Sequence, residues 1–101
     1  VSPTFEERLE ELREKFRERA MVESSTIEGM AAEFRAGVAP SGLAAELRQI
    51  AHRLAGAGGT FGFAEISARA TELEALLLDQ SPDARIADHC LALVSVIREA
   101  A

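Results

Sequence analysis

Hydrophobic positions recur along most of this chain at intervals of three and four, the spacing of one face of an α-helix. Phe5, Leu9, Leu12 and Phe16 form the first such stripe. The "TFEE" at its start reads as a capping box, with Thr4 as N-cap and Glu7 three residues on. Acidic and basic residues alternate on the opposite face, as on a solvated helix surface. The stripe weakens at "MVESST" and resumes at Ile27, Met30, Ala31 and Phe34, where "STIE" offers a second box from Ser25 to Glu28. The pattern predicts two consecutive helices, or one long helix kinked near Glu23 to Ser25.

"GVAPSG" (residues 37–42) is loop by its Gly and Pro punctuation. A further helix is predicted from Leu43 through Leu47, Ile50, Ala51 and Leu54, and another along Phe63, Ile66, Ala70, Leu73 and Leu77. "DQSPDA" reads as a turn into the last helix, with Ser81 as N-cap and Pro82 at the first helical position. Ile86, Cys90, Leu93, Val94 and Ile97 give that helix its buried face. No strand-like alternation and no internal repeat accompany these stripes. Short connections favour antiparallel neighbours. The expected fold is all-α: an antiparallel up-and-down four-helix bundle with an additional N-terminal helix or a kinked long one. At this length residues 1–101 are expected to form one domain.

With five Phe and neither Trp nor Tyr, the core must be built mainly from Leu, Ile, Val, Ala and Phe. The net charge of −6 argues against nucleic acid or an anionic membrane as partner, since both call for a basic surface. No apolar run approaches a membrane span, and the N-terminus lacks the apolar core of a signal peptide. Val1 in place of a methionine suits either a processed chain or a domain of a longer protein. Cys90 is the single cysteine, so no intrachain disulfide can form and a reducing, cytoplasmic setting is the simplest expectation.

One stretch resists a plain helical reading. "HRLAGAGGTFGF", from His52 to Phe63, sets Gly56, Gly58, Gly59 and Gly62 behind one histidine. Each glycine inside a helix costs about 1 kcal/mol relative to alanine. On a wheel of about 100° per residue with Leu47 at zero, Ile50, Ala51, Leu54, Gly58 and Phe61 fall within about 60°. His52 lies about 140° away, on the solvent side, amid Arg48, Ala55, Gly56 and Gly59. Either the glycines form a connector after a helix end, or the helix continues with one side stripped bare for a partner to approach. The residues alone weigh these two evenly.

The segment "AHRLAGAGGTFGFAEISARATELEALL", from Ala51 to Leu77, resembles the signature of histidine-containing phosphotransfer (HPt) domains of two-component phosphorelays. That pattern has an apolar residue two after the histidine, often lysine then glycine at the third and fourth places, and small residues and glycines further on. His52, Leu54, Gly56, Gly59, Gly62 and the pair Leu73-Glu74 supply it here. The resemblance implies a phosphocarrier rather than an independent enzyme. His52 would accept a phosphoryl group and exchange it with an aspartate of a response-regulator receiver domain, a histidine kinase lying upstream. It also implies that Glu74 orients the imidazole, that Ala55, Gly56 and Gly59 let the partner approach, and that no cofactor is held, Mg²⁺ belonging to the receiver. The family's frequent lysine is replaced by Ala55, which leaves Arg48 and Arg53 as candidates to neutralise the phosphoryl charge. The chain is expected to act as a monomer.

Rival readings are weaker. Neither His52 nor His89 has a glutamate three residues before it, as di-metal helical bundles require. His89 and Cys90 are adjacent and point to different sides of their helix, and nothing fixes Cys90 beside a base. The alternative that remains is a non-catalytic helical interaction module in which His52 is not phosphorylated and can be replaced.

Overall fold

The computed structural model describes residues 2–101 and contains four helices: α1 (Phe5–Ala36), α2 (Leu43–Thr60), α3 (Ala64–Leu78) and α4 (Asp83–Ala100). Among the described residues there is no strand. Short connections at residues 37–42, 61–63 and 79–82 turn the chain back on itself, and α1 packs on α4 and α2 while α3 packs on α2 and α4. The result is the four-helix bundle expected from the spacing. Ile27, Leu47, Leu73, Cys90, Leu93 and Ile97 are fully buried at its centre, one from each of α1, α2 and α3 and three from α4.

Two expectations about the N-terminal third are corrected. Helix α1 is one long element, so of the two alternatives the additional helix is absent and the chain stays helical through Glu23 to Ser25. Ser24 there is buried inside the helix, and its hydroxyl donates to the Met21 carbonyl at 2.6 Å. That local bond satisfies the hydroxyl without ending the helix. Thr4 does cap the N-terminus, accepting from the Glu7 amide at 3.1 Å. The Phe5–Leu9–Leu12–Phe16 stripe, however, meets the bundle only at Phe16; Phe5, Leu9 and Leu12 are exposed. Periodicity sets which side of a helix is apolar, but not what stands opposite. The 32 residues of α1 span about 48 Å, against about 27 Å for the 18 residues of α2 or α4. The first turns of α1 therefore extend past the end of the bundle, and the molecule is 54 Å long but 21 Å across.

The loops also use backbone more than side chains. Ser81 is not the cap of α4, which begins at Asp83 after Pro82. Its amide instead donates to the Leu76 carbonyl at 3.0 Å, and Gln80 takes a left-handed conformation (φ 53°), closing α3 with a Schellman-type turn. The same closure ends α2: Phe63 donates to the Gly58 carbonyl at 2.7 Å around Gly62 at φ 84°. Gly62 thus marks where α2 stops, because that backbone shape suits glycine.

Helix α2 runs unbroken through Gly56, Gly58 and Gly59. Leu47, Ile50, Ala51, Leu54 and Gly58 are buried along one side, so the glycine-rich stretch is helix and not connector. Gly58 is a point of close approach between α2 and the start of α3: a Cβ there would stand 3.3 Å from the Ser67 amide and 3.4 Å from the Phe63 carbonyl.

Candidate functional site

His52 projects from the outer side of α2, its side chain 75% exposed. Across the groove, α3 is fixed by Ala70, Leu73 and Leu77 in the core, which leaves Glu74 at the rim with a side chain only 20% exposed. The close contact at Gly58, and a 2.7 Å bond from the Ser67 hydroxyl to the Ala55 carbonyl, hold the two helices within reach. His52 Nδ1 consequently lies 2.9 Å from Glu74 Oε2. An ionised carboxylate can only accept, so Nδ1 donates, and in the neutral ring the free lone pair is on Nε2, away from Glu74. A nucleophilic nitrogen is thereby presented to solvent while the other is held.

Arg48, Gln49 and Arg53 join His52 and Glu74 around a shallow depression. Two guanidinium groups beside one imidazole make this a place suited to an anion. Arg53 is also drawn toward α1, where its Nη2 lies 3.7 Å from Glu23 Oε1.

The family model for the Hpt domain matches residues 3–100. The chain belongs to the Hpt family. No match was found among curated proteins or among solved structures. Hpt domains are phosphocarrier modules of two-component phosphorelays and interact with kinase and receiver domains.

The positions around His52 in this Hpt domain differ in what they face. Gly56 is exposed, and a Cβ on it would meet nothing within 4 Å. Gly59 is exposed too, but a Cβ there would rest 3.5 Å from the Ser67 hydroxyl. Ala55 is half-buried and packs against the core, so the methyl group fills a place leaning inward. His89 is distant in role: its Nδ1 is 3.7 Å from Glu72, beyond a hydrogen bond, and Cys90 beside it is fully buried. Burial pushes the Cys90 thiol up to about 12.

Sequence reasoning missed Glu23 and Ser67. Glu23 is mostly buried, one carboxylate oxygen has no partner, and burial raises its pKa above the ordinary carboxylate value against the pull of Arg53 and Arg19. Its signal was present: Leu9, Phe16, Glu23 and Met30 are seven apart, so an acidic residue occupies the apolar phase of α1. Ser67 carried no such signal, because its partner is a backbone carbonyl on another helix. Among the described residues no helix is long and apolar enough to cross a membrane.

Proposed function

We propose that His52 is the phosphoacceptor of this domain and that it exchanges a phosphoryl group with the aspartate of a receiver domain. The observation that carries this reading is the exposed imidazole with Nδ1 held 2.9 Å from Glu74. Nε2 attacks the phosphorus of an aspartyl phosphate, a N–P bond forms, and the P–O bond to the aspartate breaks to return a free carboxylate. The positive charge left on the ring is carried by the Nδ1–H facing Glu74, which supports it electrostatically. The reverse step runs through the same atoms. Phosphoryl transfer depends mostly on positioning and charge stabilisation, and Arg48 and Arg53 would offset the phosphoryl charge, a role supported by their lining the same depression as His52. The chain itself needs no cofactor in this scheme; Mg²⁺ would be held by the receiver. Gly56 and Gly59 keep side chains out of the receiver's path, and Ala55 lies on the same approach. A histidine kinase supplies the phosphoryl group upstream, and the relay operates in the cytoplasm.

The test is transfer from a phosphorylated receiver, with acid-labile phosphate as the readout. Loss of labelling in His52→Gln with unchanged helicity is the expected result. Labelling that survives would refute the assignment and leave an interaction module.

A further inference from the structure

We propose that the leading turns of α1 are a self-association surface through which two copies of this chain pair antiparallel. Phe5, Leu9 and Leu12 are 80%, 36% and 47% exposed, on the helix face that buries Phe16 one turn later. A helical segment of this length is marginal in water by itself, and among the described residues these three side chains stay exposed. Where the segment leaves the bundle, Phe61 and Phe63 are only half-buried, with ring centroids 6.1 and 5.0 Å from that of Phe16. The Arg13 guanidinium lies 5.2 Å from the Phe63 ring centroid, and its Nε is buried without an acceptor. The surface thus offers an apolar stripe, an aromatic shelf and an unused donor.

A second copy running the opposite way supplies what each of these lacks. Leu9 then faces the partner's Leu12, and Leu12 the partner's Leu9. The same register sets Glu6 beside the partner's Arg13 and brings Phe5 to the partner's aromatic shelf. Every contact is made twice, as two-fold symmetry requires. The other flank brings Arg8 near the partner's Lys15, whose ammonium already has Glu11 of its own chain at 3.8 Å. A parallel pair is worse, since it sets Arg8 against the partner's Arg13 and leaves Glu6 without a basic partner across the seam. Two short helix faces with their aromatic shelves reach only the low end of specific interfaces, about 1,200 Å² in total, so association is weak, at about 10–100 μM. His52 stays free in such a pair, because it lies about 13 Å along α2 from Phe61. This departs from the monomer expected from the sequence and does not depend on the role of His52.

Sedimentation equilibrium of the full chain from about 1 μM to 1 mM, spanning that range, reads the outcome. The mass should double with concentration. Leu9→Glu with Leu12→Glu should weaken association at least about 100-fold, since both leucines are buried against the partner in the pair. Both positions are exposed in the monomer, so helicity by circular dichroism should persist. Leu9→Cys chains mixed with Leu12→Cys chains should cross-link to each other rather than to themselves; Cys90, being buried, does not compete. A monomer throughout the range would overturn the proposal and leave the stripe to some other occupant. A dimer indifferent to the double substitution, or Leu9→Cys chains cross-linking among themselves, would overturn it equally.

Discussion

Three glycines within four residues of α2 provide a sharp test of how the site is built. By helix propensity alone, Gly56→Ala, Gly58→Ala and Gly59→Ala should each stabilise the protein by about 0.8 kcal/mol. The structure separates them. A Cβ at Gly56 enters open space, and one at Gly59 makes ordinary contact with Ser67 Oγ at 3.5 Å. Both substitutions should therefore keep most of the gain, raising the melting temperature by about 3–6 °C for a domain of this size. At Gly58 the neighbours are backbone atoms, the Ser67 amide at 3.3 Å and the Phe63 carbonyl at 3.4 Å. Those two atoms are hydrogen-bonded to each other at 3.0 Å in the first turn of α3, so neither can retreat freely. Overpacking of this kind costs about 1–3 kcal/mol. Gly58→Ala should then come out net destabilising by about 1 kcal/mol, the opposite sign to Gly56→Ala. Urea unfolding monitored by circular dichroism measures all three. Equal stabilisation by the three alanines would show that α2 and α3 are not held apart by that contact. The reasoning about how His52 reaches Glu74 would fall with it.

Replacing Glu74 by Gln keeps an acceptor for Nδ1–H but removes the charge, whereas Ala removes both. Net hydrogen bonds contribute about 0.5–1.5 kcal/mol, so Glu74→Ala should slow transfer by about 3–10-fold and Gln by less. Equal rates in stopped-flow or gel assays would detach Glu74 from the reaction. Cys90, with its thiol pushed up to about 12, should resist alkylation at pH 8 until the protein unfolds. Its folded value exceeds the ordinary 9.0, so its contribution to stability is complete below pH 9 and is lost as pH rises from there toward 12. Stability curves in alkali, compared with Cys90→Ala, report this. Glu23 is likewise raised, chiefly by burial, so the folded state binds its proton more tightly and stability falls as pH rises past its ordinary 4.5. Glu23→Gln should accordingly be the more stable protein at neutral pH, with the difference closing in acid. A pH-independent difference would assign the effect to packing.

Much of this domain was legible because its information is local. Four-and-three spacing marked every helix, the Thr4 box marked the first N-terminus, and the wheel placed His52 outside and Gly58 inside. The glycines after His52 were ambiguous alone; the surrounding motif, which resembles that of HPt domains, weighed toward helix, and α2 runs through them. Other features lay beyond local reading. Ser81 looked like a cap until its amide was found closing α3, a bond that depends on where the previous helix ends. Glu23 marked a helix boundary or a kink in a long helix, whereas it sits inside α1 with its side chain mostly buried beside Arg53. Phe5, Leu9 and Leu12 read as one apolar helix face, and an apolar stripe implies a neighbour without saying which one, or whether it belongs to the same chain.

The sequence by itself determined the elements, their apolar faces and the one exposed histidine, since these follow from backbone propensity and side-chain period. Only the tertiary structure decided that Glu74 meets His52, that Gly58 sits in close contact with α3, and that the leading turns of α1 outrun the bundle. Those depend on the relative lengths and offsets of packed helices, which no single helix encodes.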